Sequence, residues 1–124
     1  MQYIGKVDRN KLGKYKDIIT TDVVVLTDER KAHIYQDHIK DYDIIMKNLK
    51  RVVLNPREVL EDIKNEDTIF LIYKLGYTNL NVVIKLNTNN DQIHPQNSIM
   101  TAWIIRDSNL KKLRKRNKIL YKSE

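Results

Sequence analysis

Two apolar segments, Thr68 to Leu75 and Leu80 to Leu86, are separated only by Gly76-Tyr77-Thr78-Asn79, which commits the middle of the chain to an antiparallel hairpin. In the second arm Leu80, Val82, Ile84 and Leu86 fall on one face, and Asn81, Val83, Lys85 and Asn87 on the other. The first face belongs to a core; the second presents Lys85. Further on, between Ser98 and Arg106, Ile99, Thr101, Trp103 and Ile105 alternate with Met100, Ala102 and Ile104. Both faces are apolar there, as in a central strand.

A sheet of this kind needs a covering layer, and the first half of the chain supplies one. Asp22 to Leu26 is a β-branched run that reads as a short buried strand. Thr27 then caps a helix whose first turn holds Asp28 and Glu29, both favourable at the positive end of a helix dipole. That helix runs to about His38. A second, from about Asp41, places Ile44, Ile45, Leu49, Val52 and Val53 on one stripe and stops at Asn55-Pro56, because the residue before proline is pushed out of the helical region. Val59 to Ile63 fits a strand or a helical turn. A polar stretch from Asn87 to Asn97 is a loop, a short basic helix begins near Ser108, and Ile119-Leu120-Tyr121 closes the chain. The expected architecture is α+β, with N-terminal helices packed on one face of a roughly four-stranded antiparallel sheet and a short basic C-terminal helix. At 124 residues the chain is expected to be one domain.

Composition narrows the chemistry. There is no cysteine, so disulfides, thiol catalysis and thiolate metal sites are excluded. Apolar runs are too short to cross a bilayer, and the polar start Met1-Gln2-Tyr3 lacks the apolar core of a secretory signal, so a cytoplasmic protein with no membrane partner is expected. Of the net charge of +7, much sits at one end: between Asp107 and Glu124, seven bases face two acids. Arg106, Lys111, Lys112, Arg114, Lys115, Arg116 and Lys118 make this segment attractive to a polyanion, and nucleic acid is the leading partner class, RNA being the partner expected from the histidine chemistry below. The plainer reading is a solvated basic helix.

His33 and His38 lie on the first helix, about 140° apart around an ideal helix, so they converge only if the helix ends near His38. Two imidazoles with a strand lysine suit metal-free RNA cleavage: one takes the ribose 2′-hydroxyl proton, one protonates the leaving oxygen, and the cation stabilises the phosphorane. Surface histidines on an amphipathic helix are the competing reading. His33 and Asp37 are four residues apart and fit one metal, but no third ligand is spaced to join them; no metal or other cofactor is expected. His94, before Pro95, reads as a solvated turn residue. By alternation Ser98 and Thr101 point to opposite faces, so only one is expected to share the face of Lys85 and hold a phosphate there. Trp103 and Tyr121 are candidates for stacking on bases, although a lone Trp in a central strand is more often core. Glycine-rich phosphate loops and serine-elbow motifs are absent from the sequence.

Leu26-Thr27-Asp28-Glu29-Arg30 with His33-Ile34 and His38, then Asn55-Pro56, Val82-Val83-Ile84-Lys85-Leu86, Asn97-Ser98-Ile99 with Thr101, and Lys118-Ile119-Leu120-Tyr121, form an ordered pattern. It resembles the phage-associated branch of the barnase-EndoU-colicin-RelE nuclease superfamily over residues 22–124, which leaves 1–21 as an extension. The resemblance implies helices on a four-stranded antiparallel sheet and a metal-independent RNase activity. It implies His33 and His38 as acid and base, Lys85 as the strand lysine, Ser98 or Thr101 as the late hydroxyl, and Tyr121 as the aromatic of the C-terminal motif. Where relatives tend to show Arg-His-Pro, this chain has Asp37-His38-Ile39, which removes a cation from beside the histidine. Two rival expectations stand beside the ribonuclease: a non-catalytic basic nucleic-acid-binding module, and a toxin-like domain held in check by an acidic immunity or antitoxin-like protein over the basic face.

Overall fold

A computed structural model describes residues 1–123. Seven strands form one mixed sheet: β1 (Gln2–Lys6), β2 (Val23–Leu26), β3 (Glu58–Glu61), β4 (Thr68–Leu75), β5 (Thr78–Lys85), β6 (Asn97–Ile105) and β7 (Lys118–Lys122). They lie side by side in the order β1-β2-β6-β5-β4-β3-β7, and only β2 and β6 run parallel. Helices α1 (Asp28–Asp37) and α2 (Tyr42–Leu54) follow β2, while α3 (Asp107–Arg116) joins β6 to β7.

The expected four-stranded antiparallel sheet, with its helices gathered at the N-terminus, is therefore corrected. Segment 1–21 is part of the fold: β1 pairs with β2, and Ile4, Val7, Leu12, Tyr15 and Ile19 are buried in the main core. Arg9 fastens this segment, reaching the Asp22 carboxylate and the carbonyls of Lys16 and Ile19. The segment after Pro56, compatible with a strand or a helical turn, is strand β3, and the chain closes with a strand, β7, on the outer side of β3. Short edge strands such as β1 and β7 carry too few alternations to announce themselves; partners select them.

Local signals operate where the sequence places them. Thr27 Oγ1 accepts the Arg30 N–H at 3.2 Å and starts α1. The β4–β5 hairpin turns through two residues rather than four, with Leu75 paired to Thr78 and Gly76 at φ +57°, the conformation a type II′ turn needs at its first central position. On one side of the sheet α2 buries Ile45, Leu49, Val52 and Val53 against Ile69, Leu71, Leu80, Val82 and Ile84, whereas Ile44, expected on the same stripe, turns out to solvent and Asn48 is buried instead. Each such side chain contributes about 1.5–3 kcal/mol by leaving water. On the other side α3 lays Leu110 over Leu60, Phe70, Ile72, Val83 and Ile105. Met100 and Trp103 pack at the edge of that smaller cluster and stay partly exposed, as do Ser98 and Thr101, so the α3 side of β6 is an incompletely covered surface. No helix among the described residues is long and apolar enough to cross a membrane.

Candidate nucleic-acid interface on the open sheet face

Pairing of β5 with β6 decides which side chains share this surface. Lys85 sits opposite Ser98 and Ile84 opposite Ile99, but Val83 sits opposite Thr101, with Met100 as the extra residue of a β-bulge. Residues directly opposite in an antiparallel pair point to the same side, with Cβ atoms about 5 Å apart. Val83 and Lys85 share a face, so Ser98 and Thr101 share it too. The alternation that set them on opposite faces is reset by the inserted residue. Asn81 and Trp103 are the next pair on the same side, and the order Lys85/Ser98, Val83/Thr101, Asn81/Trp103 forms a track along β6.

His38 joins the track at its Trp103 end. It is the C-cap of α1, its N–H donating to the Ile34 carbonyl at 2.9 Å, and its ring stacks on Trp103 with centroids 6.4 Å apart and planes at 24°. The helix does end beside it, as convergence of the two histidines requires. His33 nonetheless remains apart: it is exposed on α1 with Nε2 3.1 Å from Asp37 Oδ2, one turn on. The carboxylate that the sequence offered as a second metal ligand is thus a partner of the imidazole, and the described residues contain no group of three metal-ligating side chains. His94 lies exposed in the loop before β6.

Lys85 is exposed at the other end, its ammonium donating to the Glu66 carbonyl. Successive same-face residues on a strand are about 6.6 Å apart, so Lys85 and His38 are too far apart for direct action on one small group. Tyr121 is separated completely. It pairs with Val59, whose side chain belongs to the α2 core, so it points away from Lys85, and β7 is four strands from β6; Lys11 Nζ lies 5.2 Å from its ring centre.

The basic segment divides into three parts. Arg106, Lys112 and Arg116 line a groove whose other wall is Trp103 and Ile104, so three cations border the His38 end of the track. Arg114 is committed elsewhere: its Nε and Nη2 donate to the Glu58 carboxylate at 2.7 and 2.6 Å, and that ion pair raises its pKa. Lys111, Lys115 and Lys118 are exposed, with Lys118 on β7 opposite Glu61.

The polar stretch Asn87 to Asn97 reads in sequence as plain loop, and that reading misses two features. Asn97 is fully buried; its Nδ2 donates to the carbonyls of Thr21 and Val23, and its Oδ1 accepts the Asn87 N–H, tying β2, β6 and the end of β5 together. Asn87, Asn89, Gln92 and Gln96 wall a polar pocket that reaches Lys85 and Ser98. The available signal was the density of amide side chains in one short segment. No family model matches the chain, and neither does any curated protein or solved structure.

Proposed function

We propose that the protein binds single-stranded RNA along the open face of β6 and cleaves it without a metal by 2′-hydroxyl attack. The observation that carries this reading is that the Met100 bulge lines up Lys85, Ser98, Thr101 and Trp103 on one face, with His38 stacked at one end beside three cations. The alternating phosphates and bases of a single strand call for such an alternation of cation, hydroxyl and aromatic surface. It is also the activity implied by the resemblance to the barnase-EndoU-colicin-RelE superfamily, and its place of action would be the cytoplasm.

In this reading Trp103 stacks a base and holds the strand, and Thr101 donates to the reacting phosphate. His38 takes the 2′-hydroxyl proton as the 2′-oxygen bonds to phosphorus. The bond from phosphorus to the 5′-oxygen breaks, that oxygen takes a proton from water, and the products are a 2′,3′-cyclic phosphate and a 5′-hydroxyl. Lys85 and Ser98 hold a neighbouring phosphate. Arg106, Lys112 and Arg116 attract the backbone. His33 has no part in this scheme. A second reading, binding without cleavage, is favoured by one observation: with His33 turned to Asp37, a single imidazole remains on the face.

Incubation with total RNA in EDTA separates the readings. Cleavage to cyclic-phosphate ends that is lost in His38→Ala and kept in His33→Ala supports the enzyme. Intact RNA with salt-sensitive binding supports the binding module, and absence of both overturns the proposal.

A further inference from the structure

Beyond Ser98 the open face continues into the pocket walled by the segment between β5 and β6, and its lining differs in kind from the rest of the surface. Four carboxamides, Asn87, Asn89, Gln92 and Gln96, converge there, with Lys85 and Ser98 at the rim and one carboxylate, Asp67, in the wall. A phosphate would be drawn to converging cations and repelled by Asp67. Uncharged donors and acceptors side by side match the edge of a nucleobase instead.

The pocket is held in shape by bonds that use some of its polar atoms and leave others open. The Asn87 N–H donates to Asn97 Oδ1 at 2.8 Å, and the Asn87 carbonyl accepts the Thr20 N–H at 3.0 Å. Asn87 Oδ1 accepts from Thr20 Oγ1 at 2.9 Å and from the Asn89 N–H at 3.0 Å, while its Nδ2 donates to Gln92 Oε1 at 2.6 Å. Thr88 Oγ1 donates to Asp67 Oδ2 at 2.9 Å. Asn87 is thus spent on the frame. Gln92 keeps its Nε2, and the Gln96 carboxamide makes no hydrogen bond within the described chain. An amide with both atoms unengaged pairs two-pronged with the adenine edge, donating to N7 and accepting from N6.

We infer that this pocket is a base-reading subsite that takes an adenine splayed from a single strand, with Gln96 and Gln92 as its specificity-determining residues. The inference rests on the RNA-binding reading and deepens it. With the base in the pocket, the adjoining phosphate lies at the rim, where Lys85 and Ser98 stand. Discrimination is then separate from the proton-transferring end of the track at His38. It is also separate from the groove of Arg106, Lys112 and Arg116, which attracts any polyanion equally.

The test is binding of 5′-labelled 2′-O-methyl oligonucleotides, which 2′-hydroxyl attack cannot cleave, followed by fluorescence anisotropy in EDTA. The probes are a uridine hexamer and hexamers carrying one central adenosine, cytidine or guanosine. The adenosine probe is expected to bind roughly tenfold more tightly than the uridine hexamer, the weight of one good two-pronged contact. The double variant Gln92→Ala, Gln96→Ala is expected to reduce that ratio to about one while leaving uridine-hexamer binding unchanged. Both side chains lie at the surface of a loop whose frame they do not complete alone, and thermal melting checks that the variant folds. Equal affinity for all four probes, preference for another base, or an adenosine preference that survives the double substitution overturns the inference and leaves RNA binding standing. Binding of none of the probes overturns the inference and the RNA reading together.

Discussion

Arg114 holds Glu58 in a two-pronged ion pair, with Nε to Oε1 at 2.7 Å and Nη2 to Oε2 at 2.6 Å, under a helix that otherwise looks like a solvated basic surface. The Glu58 side chain is only 5% exposed, so loss of its partner strands a carboxylate away from water. Arg114→Ala is expected to lower unfolding free energy by about 2–3 kcal/mol, less than for a fully buried pair because Arg114 itself is partly wet. Lys111→Ala, on an exposed site, is expected to stay within about 0.5 kcal/mol. Urea midpoints at neutral pH check both.

Asn81 is the converse case. It is fully buried between Ile72 and Trp103 of the flanking strands, and neither atom of its carboxamide has a hydrogen-bond partner. An unpaired buried amide costs about 1–3 kcal/mol. Asn81→Leu, which keeps the branched shape and heavy-atom count while removing the polar atoms, is expected to raise stability by about 1–2 kcal/mol. A loss of stability of that size in the same denaturation experiment would show that the amide is needed where it stands.

Tyr15 gives an alkaline limit. Burial pushes its phenol above the usual value near 10, and the Glu61 carboxylate adds to the effect. Above about pH 10 the unfolded chain releases a proton that the folded chain retains, so stability falls as pH rises and is unaffected by this group below that range. Lys14, raised chiefly by its bond to Glu61, acts with the same sign. Thermal melts from about pH 9 to 11 are expected to show a decline that is shallower in Tyr15→Phe, and equal slopes would refute the assignment.

Arg106, Lys112 and Arg116 border the groove beside Trp103, whereas Lys111 and Lys115 face solvent. Each phosphate contact on a single strand contributes about −0.7 to the slope of log affinity against log salt. Substitution of the three groove residues by Ala is expected to flatten that slope by about 2 for a uridine oligonucleotide, and substitution of Lys111 and Lys115 by less than about 1. Titrations at several salt concentrations read the difference directly.

Much of the frame was legible in the residues themselves. The Thr27 cap, the apolar stripe of α2, the interruption at Asn55-Pro56 and the assignment of Leu80, Val82 and Ile84 to one face of β5 are short-range consequences of rotamers, capping and a period of 2 or 3.6. The lack of cysteine excludes thiol chemistry whatever the fold. The sheet order, the parallel pairing of β2 with β6 and the recruitment of β1 and β7 were not legible, because a five-residue edge strand is chosen by the partner it meets. The candidate site depended on tertiary structure most of all. Whether Ser98 and Thr101 share a face turns on one unpaired residue, Met100, and a bulge exists only in the register between two strands. The sequence by itself determined which residues are available for chemistry and which local elements carry them. Only the pairing of β5 with β6 and the seating of α1 against β6 decided that His38, Trp103, Thr101, Ser98 and Lys85 form one track while His33 and Tyr121 stand outside it. Those relations depend on contacts between residues far apart in the chain, which local periodicity does not encode.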